Sequence, residues 1–191
     1  MFIDFFVQTN LFNMPTPHIL VVAGTNRKGS LTAQVAQYYA TLLHKKGLDH
    51  QVLDLINLPK DFTVSALYDN MGQDKAFNAL KAPIEAASKY VFIIPEYNGS
   101  FPGIFKAFID GLPFPHTFKG KKCALVGLSK GPRGGVCALS HLTDIFHYLK
   151  MSVYPLSPTL SNIKDSKLAT ILSNKTYVQL LEEQVAGIID F

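Results

Sequence analysis

Two short stretches of this chain carry residue types spaced to hold an anion and a flat ring. In the first, Gly24-Thr25-Asn26-Arg27-Lys28-Gly29-Ser30-Leu31-Thr32, three hydroxyls and a guanidinium flank a glycine-bearing turn. Leu31, Val35, Leu42 and Leu43 then recur at helical spacing, so Ser30 falls where a helix cap belongs. A helix start offers unpaired N–H groups and the positive end of a dipole, which suits a phosphate. The hydroxyls of Thr25, Ser30 and Thr32, the helix start at Leu31 and the guanidinium of Arg27 are therefore candidates to grip a phosphomonoester dianion.

The second stretch is Pro95-Glu96-Tyr97-Asn98-Gly99-Ser100, after the apolar run Val91 to Ile94. Pro95 ends that strand because it cannot donate to a sheet ladder. Pro102 is expected at a first-turn position, where its missing N–H costs nothing. Asn98-Gly99 tolerates positive φ and turns its amides outward. A strand, a shaped loop at its carboxyl end and a helix start make a ligand-binding edge of an open α/β sheet. A third segment, Leu128-Ser129-Lys130-Gly131-Pro132-Arg133-Gly134-Gly135, follows another apolar run and opens a helix. Ser129, Gly131, Gly134 and Gly135 allow close backbone approach there, and a plain glycine-rich turn is the competing reading.

Other chemistries fit less well. Gly24-x4-Gly29-Ser30 has P-loop glycine spacing, but Ser30 stands where the lysine belongs, and no G-x-G-x-x-G follows the first strand. The six histidines show no metal-ligand spacing, so no metal is expected, and Ser100 and Ser129 have no partner histidine visible in the sequence.

The elements that must position these loops alternate as βα units. Strands are expected at 18–23, 50–55, 91–94, 123–127 and 152–155, with helices at 31–46, 73–88, 103–110, 135–150 and one or two over 167–189. Pro83 should kink or split the second helix, and 57–72 reads as a long loop. Such alternation predicts a parallel sheet covered on both faces. The 191 residues, 48% hydrophobic, suffice for one domain at 18–191, with 1–17 as an N-terminal extension. No stretch is long and apolar enough for a membrane helix, residues 1–6 lack a basic region ahead of their apolar run, and Cys123 and Cys137 make no disulfide framework. A cytoplasmic protein with no membrane partner is the expectation.

Net charge is only +4, yet 111–143 and 5–48 contain no acid while carrying Arg27, Lys28, Lys130 and Arg133 among other cations. Such a field attracts anionic ligands; no basic helix or aromatic-basic motif accompanies it, so nucleic acid is not expected.

The wording of the loops is more specific than their shape. PEYNGS-x-PG at 95–103 resembles the flavin loop of the NAD(P)H-dependent FMN reductase family, and 24–32 resembles that family's phosphate loop, G-S-x-R-x-x-S, with Thr25 in place of serine. Thr32 stands where many members carry asparagine. The resemblance implies a flavodoxin-like three-layer α/β fold with a five-stranded parallel sheet in the order 2-1-3-4-5. It implies FMN as cofactor, held by Thr25, Arg27, Ser30, Leu31 and Thr32 and by Pro95, Glu96, Tyr97, Asn98 and Gly99, the last four through backbone groups against the ring edge. Ser129, Gly131, Gly134 and Gly135 would approach the flavin's far side or the nicotinamide. The implied activity is hydride transfer from NADPH or NADH through FMN to a small acceptor (a quinone, azo compound, chromate or free flavin), with no catalytic side chain required, in a homodimer or homotetramer. A flavodoxin-type electron carrier and a flavin redox sensor are the alternatives; a pI near 9.0 argues against the carrier.

Overall fold

The computed structural model describes residues 18–191, so the expected extension at 1–17 lies outside the described residues. The β-branched run Ile19–Ala23 forms β1, followed by α1 (Leu31–Lys45), β2 (His50–Asp54), α2 (Phe62–Ser65), α3 (Lys75–Ala86), β3 (Lys89–Pro95) and α4 (Gly103–Asp110). Then come β4 (Lys122–Leu128), α5 (Val136–Tyr148), the two-residue strands β5 (Ser152–Val153) and β6 (Thr159–Leu160), α6 (Leu168–Ser173) and α7 (Lys175–Asp190). All strand pairings are parallel, as the alternation of elements predicts, and the order is β2-β1-β3-β4-β5, as the family resemblance implies. Residues 19–23 and 90–94 are buried throughout, as strands covered on both faces must be.

Alternate strand residues feed two cores. Leu20, Val22, Tyr90, Phe92, Ile94 and Leu125 pack with α3, α4 and α5, whereas Ile19, Val21, Val91, Ile93 and Val126 pack with α1, α6 and α7. The first core is aromatic: Phe92 stacks on Phe146 at 4.7 Å and meets Phe105 edge-on at 5.5 Å. Each such pair adds about 0.5–1.5 kcal/mol beyond its buried area. Cys123 is fully buried there and burial pushes its thiol pKa up, as befits a small core residue.

Helix α1 begins where the sequence places its cap: Ser30 Oγ accepts the Ala33 N–H at 3.1 Å. It ends in a Schellman motif, with Gly47 at φ +69° and N–H bonds from Gly47 to His44 O and from Leu48 to Leu43 O. Elsewhere the expectations need correction. Pro102 is the cap of α4 rather than a first-turn residue. Helix α3 is not split at Pro83; Phe77 and Ile84, seven residues apart on one face, are both buried and hold its two halves to the same core. The stretch 57–72 is no open loop but carries α2 and a turn of 3-10 helix at Tyr68–Asn70, anchored by buried Phe62, Ala66 and Leu67.

The edge beside β4 is interrupted. Lys122 and Cys123 pair with β5, and Gly127 and Leu128 pair with β6, which the sequence reading did not anticipate. Between them runs Tyr154-Pro155-Leu156-Ser157-Pro158, where two prolines cannot donate to a ladder. Gln184 of α7, wholly buried, fills the gap: its Nε2 donates to Leu125 O at 2.9 Å and to Leu156 O at 2.7 Å. Gln184→Leu removes both donors at similar volume and leaves the buried Leu125 carbonyl and the half-buried Leu156 carbonyl bare. It should destabilise the fold by about 1–3 kcal/mol, read as a lowered urea midpoint at unchanged slope.

Candidate functional site

In this strand order β1 and β3 lie side by side, with Ala23 opposite Ile93, while their crossovers leave toward opposite faces of the sheet: α1 packs in one core and α4 in the other. A crevice of about 540 Å³ opens above their carboxyl ends, at the switch point where such sheets take ligands. Its walls come from the loops after β1, β3 and β4 and from the segment after β6.

The loop after β1 contributes Arg27, Lys28, Gly29, Ser30, Leu31 and Thr32. Gly24 lets this loop start hard against β3, donating its N–H to Ile93 O at 2.9 Å; a Cβ there would lie 2.5 Å from Ile94 Cδ1. Among the described residues the amides of Ser30, Leu31 and Thr32 have no partner and point off the start of α1. Thr32 is 3% exposed, and its hydroxyl makes no hydrogen bond among the described residues. Thr25 is placed differently. It does not line the crevice; its Oγ1 accepts the Arg27 N–H at 3.3 Å and lies 3.0 Å from Tyr97 Oη.

The loop after β3 is a two-residue clip. Tyr97 and Ser100 exchange both backbone hydrogen bonds, at 2.7 and 3.0 Å, around Asn98 at φ +51° and Gly99 at φ +77°. Two successive positive φ values define the type I′ geometry that favours Asn-Gly. Pro95, Glu96, Tyr97 and Asn98 line the crevice, while Gly99 forms the outer corner of the clip. The Glu96 N–H is taken by Leu128 O and the Tyr97 N–H by Ser100 O, which leaves the amides of Asn98 and Gly99 as the free donors of the four. One expectation is corrected here: Ser100 does have a partner histidine, with His141 Nδ1 of α5 at 2.9 Å from its Oγ. Both side chains lie outside the crevice lining, so the contact ties the clip to α5.

From the loop after β4, Ser129 and Lys130 reach the crevice. Ser129 Oγ accepts the Gly131 N–H at 3.0 Å, and Gly131, Gly134 and Gly135 stay out of the lining. Gly134 (φ +59°) is pressed against β6, where a Cβ would come within 2.7 Å of the Thr159 backbone, and Gly135 (φ +89°) lies against Gly127 and Leu128. Close packing within the protein accounts for that double glycine. Ile163 and Ser166 line the crevice and were not singled out in the sequence. They arrive because Asn162 N–H donates to Gly131 O and Ile163 N–H to Ser129 O. Asn162 has a left-handed backbone, and nothing local in the sequence says which loop it joins.

Arg27, Lys28 and Lys130 face the crevice against one carboxylate, Glu96, and none of the four makes an ion pair among the described residues. The crevice therefore combines free amides, hydroxyls and unneutralised cations at one side with a rigid backbone clip at another. That is a fit for a molecule with a phosphate tail and a flat polar-edged ring.

Residues 17–165 match the model of the NADPH-dependent FMN reductase family. An NAD(P)H-dependent FMN reductase of Schizosaccharomyces pombe is 32% identical over 155 residues, covering 78% of this chain and 76% of that protein. A 2-hydroxy-1,4-benzoquinone reductase of a Burkholderia species is 33% identical over 134 residues, covering 69% and 70%. Among solved structures, the apo form of an NADH:FMN oxidoreductase superposes with a TM-score of 0.75 at 21% identity, over 91% of this chain and 89% of that one, a likeness of fold.

The glycines after β4 separate packing from flexibility. Gly134→Ala combines a left-handed backbone with a backbone clash and should cost about 2–3 kcal/mol, whereas Gly131→Ala, whose nearest neighbour would be Ser129 Oγ at 3.4 Å, should stay within about 0.5 kcal/mol of the parent in chemical unfolding.

Proposed function

The chain belongs to the NADPH-dependent FMN reductase family, FMN-dependent oxidoreductases with NAD(P)H as electron donor, and on that footing we propose that its crevice seats FMN between the loops after β1 and β3. The observation that carries this reading is that the helix start at 30–32 and the clip residues Tyr97 and Asn98 wall the same cavity. When bound, FMN supplies a ring that takes a hydride from the nicotinamide and passes two electrons onward.

The residues then divide the work of binding. The amides of Ser30, Leu31 and Thr32, the Ser30 and Thr32 hydroxyls and Arg27 hold the phosphate, with the α1 dipole adding to their field. Asn98 and Gly99 offer N–H groups to the polar edge of the ring, and the I′ turn fixes their direction without further cost. Glu96 and Tyr97 contribute side-chain bulk and backbone shape to that wall, since their amides are already bonded. Lys28 and Lys130 leave positive potential over the opening, which favours arrival of an anionic dinucleotide. Ser129 supplies the wall across from the clip.

The electron acceptor we propose is a quinone or an azo compound, entering the space the nicotinamide vacates; a relative that reduces 2-hydroxy-1,4-benzoquinone supports this. We further propose a homodimer or homotetramer, supported by an apolar groove of about 300 Å³ beside Phe114, which is 60% exposed and stacks on the exposed Tyr148 at 5.8 Å. None of the described helices is long and apolar enough to cross a membrane, and the two cysteines are free, which fits a cytoplasmic setting.

The purified chain should show the visible flavin spectrum, and stopped-flow mixing with NADPH or NADH should bleach it rapidly. A preparation that stays colourless in excess FMN sinks the reading; a yellow one that does not bleach makes the chain a carrier or sensor. Arg27→Ala combined with Ser30→Ala should weaken FMN binding roughly a hundredfold or more, releasing it on dialysis. Phe114→Glu should shift the mass in light scattering toward the monomer while FMN stays bound.

A further inference from the structure

The family resemblance casts Thr25 as a phosphate ligand, yet its hydroxyl is engaged elsewhere. Thr25 is 1% exposed and absent from the crevice wall. A hydroxyl carries one proton and two lone pairs. At Thr25 one lone pair receives the Arg27 N–H, at 3.3 Å, and Tyr97 Oη, at 3.0 Å, takes either the proton or the second lone pair, since either hydroxyl can donate. Tyr97 is 38% exposed and lines the crevice.

We propose that Thr25 and Tyr97 form a latch between the phosphate loop and the ring clip, so that Thr25 is a positioning residue for the clip and not a ligand of the phosphate. The inference rests on the FMN reading above. The mechanical reason lies in how the clip is tied. Its backbone is fixed to the sheet on the β4 side, through Glu96 N–H to Leu128 O at 2.8 Å. Ser100 holds it to α5 through His141. Toward β1, Tyr97 Oη to Thr25 Oγ1 is the hydrogen bond that ties it among the described residues. Without that bond the phenol is free to rotate over the crevice, and the amides of Asn98 and Gly99 lose a fixed direction relative to the helix start at Ser30. Because the Arg27 N–H is bonded to the same hydroxyl, the latch also shapes the turn that presents the Arg27 side chain.

The two roles separate on a flavin without a phosphate. Full-length apoprotein is titrated with FMN and with riboflavin, following quenching of flavin fluorescence, for the parent, Thr25→Val, Thr25→Ser, Tyr97→Phe and the double substitution T25V/Y97F. A latch requires Thr25→Val and Tyr97→Phe each to weaken both flavins alike, by roughly tenfold. It also requires T25V/Y97F to be no worse than either single change, and Thr25→Ser to keep parent affinity. A loss confined to FMN makes Thr25 a phosphate ligand and overturns the proposal, as do additive losses on FMN or no loss at all. The additivity comparison on FMN stands alone if riboflavin binds too weakly to titrate. Tyr97 is a surface residue, so Tyr97→Phe and Thr25→Ser carry the test if Thr25→Val fails to fold. A parent that binds neither flavin undoes the FMN reading itself, a result distinct from any of these.

Discussion

The parallel pairing of β1 with β3 is the contact on which the site depends. Ile19 to Ala23 lie opposite Lys89 to Ile93, and both strands are buried on both faces. A slip of one residue would send every side chain of the strand into the wrong core, so the register is closely held. Adjacent strands run about 5 Å apart, which means that the two crossovers begin within one side chain's reach of each other. One turns into α1 and exposes a helix start; the other turns into a hairpin clip. Neither loop makes a ligand cavity alone, because each presents only one kind of partner.

Rigidity below the loops comes from different chemistry on the two faces. On the α4 and α5 side, Tyr90, Phe92, Phe105, Phe118 and Phe146 form a ring cluster with centroids 4.7–6.4 Å apart. On the α1 and α7 side the packing is aliphatic apart from the fully buried Tyr39, and the interrupted edge is closed by one buried amide, Gln184. The split between β5 and β6 has a consequence for the site. It releases Pro155 to Ser157 from the ladder, between the Tyr154 N–H bonded to Cys123 O and the Pro158 O bonded to Gly127 N–H, and brings the chain back so that Ile163 and Ser166 reach the crevice.

Much of this was legible in the residues because it is local. Ser30 caps α1, Gly47 ends it, and Asn98-Gly99 makes a turn with positive φ, each for reasons confined to a few neighbours. The apolar runs gave the strands, and their alternation with helices gave a parallel sheet. What escaped prediction involves partners far apart in the chain. The His141 contact with Ser100 spans 41 residues and that of Gln184 with Leu125 spans 59. Buried Phe62 and Leu67 fold 57–72 down onto Gly111, a contact that no pattern within the loop announces. Gly134 and Gly135 looked like ligand glycines because a glycine needed for close backbone packing reads the same as one needed for a ligand.

The amino-acid sequence by itself determined the element types, the parallel sense of the sheet and the two loops able to meet a phosphate and a ring, since propensity, capping and turn chemistry act over a few residues. Tertiary structure alone decided how each polar group is used. It turned the Thr25 hydroxyl toward Tyr97, occupied the amides of Glu96 and Tyr97, and drew Ile163 and Ser166 into the wall. The reason is that a hydrogen-bonding group has few valences, and which neighbour fills them depends on distances set only when the sheet has closed in register.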